Sequence, residues 1–197
     1  IKTNDISKVN LKSNISHEMF KWLKVGANIS GNYLHNNRIP GADLGSTIIG
    51  RAVQQRPFDR PYKPNGGYYT GGTDELLLHN AVQILSEETS YTDNYRFIGS
   101  FWAEAQIAKG LTVRASYNND SAYTYDYVYY NQNHPYAADN GRILDRNRFV
   151  MTNTIDLYAN YNRKIGEDFE LGAMVGHSFL KTKSRTSYID AQHYPSP

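Results

Sequence analysis

Trp22-Leu23-Lys24-Val25-Gly26-Ala27-Asn28-Ile29-Ser30-Gly31-Asn32-Tyr33 decides the fold. Leu23, Val25, Ala27, Ile29, Gly31 and Tyr33 fall on one face of an extended chain, and Trp22, Lys24, Gly26, Asn28, Ser30 and Asn32 fall on the other. Side chains alternate across a strand with period two, so the segment has one apolar and one mostly polar face. The same split recurs downstream. Phe97, Gly99, Phe101, Ala103, Ala105 and Ile107 oppose Arg96, Ser100, Glu104 and Gln106. Phe149, Met151, Ile155, Leu157, Ala159 and Tyr161 oppose Thr152, Thr154, Asp156, Tyr158, Asn160 and Asn162.

Working outward, the pattern predicts six strands joined as three hairpins. The first runs from about Ile6 to Ser16, the second from about Trp22 to His35, and the third from about Tyr95 to Ile107. A fourth starts at Leu111 and continues through Tyr123, Tyr125 and Tyr127, a fifth covers Arg148 to Asn162, and a sixth starts at Phe169. Short turns are expected at His17–Lys21, Ala108–Gly110 and Arg163–Asp168, and long connections at Asn36–Asn94 and Asn131–Asn147. The first long connection is rich in turn residues, among them Pro57, Pro61, Pro64, Gly66-Gly67 and Gly71-Gly72. Two short helices are expected within it. One covers Thr47–Gln55; the other covers Asp74–Glu87 and has Thr73 in the capping position.

Strand length separates two architectures. A strand rises about 3.3 Å per residue, so about ten residues tilted by roughly 40° cross an apolar band of about 25 Å. Strands of soluble sheets are usually about five or six residues long. The long alternating segments therefore predict an all-β fold, an antiparallel transmembrane β-barrel segment with long extracellular loops. Val25, Phe101, Val113, Leu157 and Ala173 should meet lipid, and Asn28, Glu104, Arg114, Asp156 and Glu170 should face the lumen. Short turns belong at the periplasmic end.

Composition supports the same class. The chain has 197 residues, 21 Lys and Arg against 19 Asp and Glu, no Cys, and 17 Tyr. A net charge of +2 argues against nucleic-acid binding. No run of about 18 apolar residues marks a transmembrane helix, but a barrel needs none, because only alternate residues meet lipid. The first residue is Ile1 and the last are Pro195-Ser196-Pro197, so an internal piece of a longer protein is expected.

Chemical constellations are sparse. His17, His35, His79, His134, His177 and His193 are scattered without metal-ligand spacing, and no metal, cofactor or catalytic group is expected. Glu104, Asp156 and Glu170 fit a water-filled lumen. The run Tyr123, Tyr125, Tyr127, Tyr129, Tyr130 fits either an outer girdle extended into a protruding hairpin or a platform for a sugar or a partner. Candidate substrate or partner contacts are Arg51, Arg56, Phe58, Arg60, Tyr62, Tyr68, Tyr69, Tyr127, Tyr129 and Tyr130. Ile48, Ile49, Val53, Leu77, Val82 and Leu85 are expected to anchor the long loop.

Two hairpins carry a family resemblance. Asn94-Tyr95-Arg96-Phe97-Ile98-Gly99-Ser100-Phe101-Trp102-Ala103-Glu104 followed by Lys109-Gly110-Leu111-Thr112-Val113-Arg114 resembles a barrel hairpin of SusC/RagA-type TonB-dependent outer-membrane transporters. Phe20-Lys21-Trp22-Leu23-Lys24-Val25-Gly26-Ala27-Asn28 resembles an earlier hairpin, and Asn80-Ala81-Val82-Gln83-Ile84-Leu85 a shared stretch in which Ala81 replaces the usual Pro. The resemblance spans residues 1–197 as one partial barrel domain. It implies a 22-stranded barrel with a plug in the bacterial outer membrane. It further implies uptake of an oligosaccharide or peptide, a SusD-like surface lipoprotein as lid, and the TonB complex acting through parts not seen here. A passive porin and a soluble carbohydrate-binding β-domain are the alternatives.

Overall fold

The computed structural model describes residues 4–38, 48–55, 58, 60–69, 80–135, 137, 140–166 and 168–193. Its elements, in chain order, are β1 (Ile6–Phe20), β2 (Leu23–Asn37), α1 (Ile48–Gln54), α2 (Ala81–Glu87), β3 (Glu88–Ala108), β4 (Leu111–Tyr130), β5 (Arg142–Ile165) and β6 (Phe169–Gln192). All six strands form one antiparallel sheet in the order β1-β2-β3-β4-β5-β6. This is an up-and-down meander, in which each strand pairs with its neighbours in sequence.

Register fixes the faces. Val25, Ala103, Ala115, Leu157 and His177 form one cross-strand row; Ala27, Phe101, Tyr117, Ile155 and Phe179 form the next. Directly opposed residues of an antiparallel pair point to the same side. The expected apolar side chains thus share one surface, and Lys24, Glu104, Arg114 and Tyr158 share the other.

Among the described residues nothing covers the apolar surface. Ile48, Ile84 and Tyr129 are the buried hydrophobic residues among those described, and none lies under the band of the wall. Val9, Leu11, Ile15, Phe101, Leu157, Val175 and Phe179 stay exposed. A soluble sheet would cover one face with a second layer. An uncovered apolar face on strands of 15 to 24 residues is what a barrel wall presents to lipid.

The turns explain the hairpins. Lys109-Gly110 reverses the chain with Gly110 at φ +83°, and a β-carbon there would collide with the Asn162 carbonyl oxygen. Gly166 turns β5 into β6 at φ +70°. Lys21-Trp22 joins β1 to β2, and the Phe20 and Trp22 rings stack at 5.7 Å.

Several boundaries differ from the sequence reading. β1 continues to Phe20, so His17–Glu18 pair with Val25 and Lys24 rather than turning. β3 begins at Glu88 and β5 at Arg142, so the long connections shrink from 36–94 to about 38–87 and from 131–147 to 131–141. Above the membrane both faces meet water, and the alternation that marks a strand fades. α1 matches the first expected helix. α2 begins at Ala81 with Asn80 as its cap; residues 74–79 and the expected cap Thr73 lie outside the described residues.

Candidate functional site

The polar face carries a continuous ladder of side-chain bonds. Near the short turns, Lys24 Nζ meets Glu18 at 2.7 Å, and Arg114 Nη1 lies 3.5 Å from Glu104 Oε2. The Arg114 guanidinium also sits 4.4 Å over the Trp102 ring, a cation–π contact. Higher up, Asp156 accepts hydrogen bonds from Ser178 (2.6 Å), Asn118 (3.0 Å) and Ser116 (3.4 Å). These side chains line a concave region of about 500 Å³ with Ser100, Arg114 and Tyr158. Above it Arg96 grips Asp120 with two parallel bonds, Nε to Oδ1 at 2.9 Å and Nη2 to Oδ2 at 2.6 Å. Asn94–Thr124 at 2.8 Å and Thr92–Asp126 at 2.6 Å continue the ladder toward the long connections. Residues of both signs and neutral amides alternate along it, so it offers donors and acceptors without a net field.

The long connections form a cap at the far end, with Asn80 at its centre. Its Oδ1 accepts from the backbone N–H of Val82 (2.9 Å) and Gln83 (3.4 Å), satisfying the first turn of α2. Its Nδ2 donates to the carbonyls of Pro61 (2.6 Å) and Tyr69 (3.0 Å). One buried side chain thus ties the 60–69 segment to the helix. Tyr68 and Tyr62 bridge across a turn built on Gly66, and the Tyr68 hydroxyl donates to Glu87 at 2.9 Å. The second connection docks on the same helix. Asn131 N–H donates to the Glu87 carbonyl (2.8 Å), and Gln83 Nε2 donates to the Asn133 carbonyl (2.5 Å). His134 is buried, stacks on Tyr130 at 4.4 Å, and lies 3.6 Å from Glu88.

On the apolar face, tyrosines rise above the membrane band. Tyr33, Tyr95 and Tyr123 form one row, with centroids 4.8 and 6.3 Å apart. Tyr91, Tyr125 and Tyr127 form a second cluster within 5.1 to 6.3 Å. Beside it His35 Nδ1 lies 2.8 Å from Asp93, which holds the imidazole pKa above its usual value. Burial pushes the Tyr125 phenol up, with Asp145 adding to it.

The residues expected to meet a substrate or partner divide into groups. Phe58 is 76% exposed, and Arg60 and Tyr62 are also exposed on the cap. Tyr68 and Tyr69 are half-buried and serve the cap's own bonding. Tyr127 belongs to the upper tyrosine cluster, Tyr130 stacks on His134, and Tyr129 is only 5% exposed. Arg56 and the Arg51 side chain lie outside the described residues, as does Leu77 among the expected anchors and the Ile49 side chain. Val53 does not anchor the loop: it is 81% exposed. Ile84, 1% exposed, takes that place together with Ile48, where α1 packs on α2. Sequence reading missed Asn80 and His134; the Asn ahead of an apolar helical stretch was the available signal for the first. Among the described residues no group of three His, Cys, Asp or Glu side chains is placed to hold a metal ion.

No family model matches the sequence. Over 194 residues it is 23% identical to the TonB-dependent receptor P26 of Formosa agariphila, covering 93% of this chain and 18% of that protein. Its fold matches a chain of the RagAB peptide importer in the closed-closed state with a TM-score of 0.77 at 22% identity, and in the open-open state with 0.77 at 20%. A further structure of the RagAB peptide transporter matches with 0.78 at 20%. In each structural match 97% of this chain and 22% of the other are covered, so the chain spans about a fifth of the relatives it matches. The fold is that of an antiparallel β-barrel segment.

Proposed function

We propose that this chain is a wall segment of an outer-membrane, TonB-dependent nutrient importer that takes up peptides or oligosaccharides. One observation carries the reading. A single sheet of long strands has an uncovered apolar face and, behind it, an internally bonded polar face. Water on the polar side and lipid on the other satisfy both. The similarity to a peptide importer over nearly the whole chain supports the same assignment.

In this reading the ladder from Arg114 to Asp126 lines the lumen. Its amides, hydroxyls and paired charges suit a polar, roughly neutral cargo such as a peptide or glycan, which trades hydrogen bonds with the wall one at a time. The cap built on Asn80 stands at the extracellular mouth. Its exposed Phe58, Arg60 and Tyr62, with Arg51 and Arg56, are assigned to contact with a SusD-like surface lipoprotein or the substrate. Driving force is assigned to the TonB complex.

The test uses the full-length protein in its native outer membrane. Residues 55–73 are deleted, and barrel assembly, lipoprotein association and uptake are measured separately. Lost association and uptake with an intact barrel are expected. Wild-type uptake and association after the deletion would remove the cap from the assignment, and uptake that persists without TonB would make the protein a passive pore.

A further inference from the structure

One strand breaks the charge balance of the polar face. Arg146 of β5 stands in the row of Thr92, Asp126 and Tyr188, and Arg148 in the row of Asn94, Thr124 and Thr186. Both arginines therefore belong to the polar side. β5 lies inside the sheet, so their cross-strand neighbours are in place on either side. Phe149, the next residue toward the membrane, shares the aromatic row of Tyr33, Tyr95 and Tyr123. At about 3.3 Å per residue and a tilt of roughly 40°, Arg148 and Arg146 stand about 3 and 8 Å above that row. They face the mouth, below the cap.

The described carboxylates around them are engaged elsewhere. Asp120 gives both oxygens to Arg96, and Asp190 gives both to Arg142. Asp126 directly opposes Arg146, but its Oδ1 accepts from the Thr92 hydroxyl at 2.6 Å and lies 3.7 Å from Arg38. Glu88 is turned to the buried His134. Arg38, Arg96 and Arg142 thus take up Asp126, Asp120 and Asp190, and Arg146 and Arg148 are left over. Both are exposed and make no hydrogen bond or ion pair with a described residue. The ladder on β2 to β4 is balanced; the surplus lies on β5.

The surroundings turn that surplus into a site. The Arg146 guanidinium lies over the Tyr188 ring, 5.7 Å from its centroid. Thr124, beside Arg148, accepts from Asn94 Nδ2 at 2.8 Å, so its own hydroxyl proton remains to be donated. Directly opposed β-carbons lie about 4.5–5.5 Å apart, and positions two apart along a strand about 6.6–7 Å. Those spacings are within the reach of an arginine side chain. Two guanidiniums and a hydroxyl proton therefore serve one spot of the wall. A guanidinium carries five N–H donors in a planar fork that meets a carboxylate with two parallel bonds. The partner this donor set lacks is a planar anion that only accepts.

We propose that Arg146 and Arg148 bind a carboxylate group of the cargo at the mouth of the lumen. The proposal rests on the importer assignment above and deepens it. A peptide with a free C-terminus or an oligosaccharide with a uronic acid carries that group; an amidated or esterified analogue does not. The paired charges and amides of β2 to β4 remain for the uncharged part of the same cargo.

The test uses the full-length protein purified from the outer membrane and two matched pairs of probes: tetra-alanine and its C-terminal amide, and trigalacturonate and its methyl ester. Affinities are measured by calorimetry at low salt, where the charge contact is least screened. Wild type should bind the acid of at least one pair about tenfold tighter than its neutral partner, as a charge-assisted contact requires. Preference in the peptide pair alone names the C-terminal carboxylate as the source; preference in the sugar pair alone names the uronic acid. Arg146→Gln/Arg148→Gln should bind acid and neutral forms alike, with neutral affinity unchanged. Arg148→Gln alone should lower the preference, and it removes a side chain that makes no contact in the wall, so it assembles even where the double variant does not. Lys109→Gln, at the opposite end of the wall, should keep the preference. No preference in either pair, or no binding of either acid, overturns the proposal. So does a double variant that keeps the preference, since the anion is then held elsewhere. Equal loss in Lys109→Gln overturns it too, by making the effect one of overall charge. TonB-dependent uptake by a protein with no acid preference sinks this inference alone. A protein absent from the outer membrane sinks the importer reading as well.

Discussion

Trp102 lies over Gly26, its direct cross-strand partner: a β-carbon on Gly26 would come within 2.5 Å of the indole ring. The missing side chain on β2 is what lets the ring lie flat on the polar face, where the Arg114 guanidinium covers it. A glycine that weakens a strand in isolation here creates the seat for its neighbour.

Gly26→Ala should therefore displace the ring and cost about 1–3 kcal/mol, the usual range for overpacking. Gly26→Ala combined with Trp102→Ala should cost less than the two single changes added together. Urea unfolding of the assembled barrel, followed by its gel shift on heating, measures the cycle. Strict additivity would show that the two sites do not touch in the folded wall.

The two faces should respond oppositely to charge. Leu157→Arg places a cation on the lipid side and should cost about 2–4 kcal/mol if it lies near the midplane. Asp156→Asn, one residue away on the bonded polar face, should cost under about 1.5 kcal/mol, because its amide oxygen still accepts from Asn118 and its amide N–H can donate to the Ser178 hydroxyl oxygen instead. Folding yields in vesicles test this, and equal defects would remove Leu157 from lipid.

Topology has a direct readout. Single cysteines at Lys109 and Asn65 stand at opposite ends of the wall. A membrane-impermeant maleimide on intact cells should label Asn65→Cys and spare Lys109→Cys. The reverse result would invert the sheet in the membrane.

Asn80→Ala should loosen the cap and leave the wall intact. Loss of the helix cap is worth about 1 kcal/mol, and the Pro61 and Tyr69 carbonyls lose their donor as well. Limited proteolysis should cut faster between residues 60 and 87 with no change in barrel melting. Resistance equal to wild type would mean that other contacts hold the cap.

His35 gives the extracellular end of β2 and β3 a pH dependence. Its pKa is raised by the hydrogen bond to Asp93, so the folded state holds the proton more tightly than the unfolded chain. That stabilisation is complete below the ordinary imidazole value of about 6.5 and disappears as pH rises through the raised value. The urea midpoint of wild type should exceed that of His35→Gln by more at pH 5.5 than at pH 8.5. A gap that widens with pH would contradict the sign.

The sequence by itself determined the wall. Alternation in Leu23–Tyr33 and Phe149–Tyr161 set the strands and their faces, because a period of two is a local property and lipid on one side makes the contrast sharp. Short turns at Lys109-Gly110 and before Phe169 then forced the meander. Where both faces meet water the contrast vanishes, so Glu88–Asn94 and Arg142–Asn147 read as loop although each strand runs through them. Only the tertiary structure decided the cap. That Ile84 rather than Val53 is buried, that Asn80 holds Pro61 and Tyr69, and that His134 stacks under the mouth depends on segments far apart in sequence meeting at one helix.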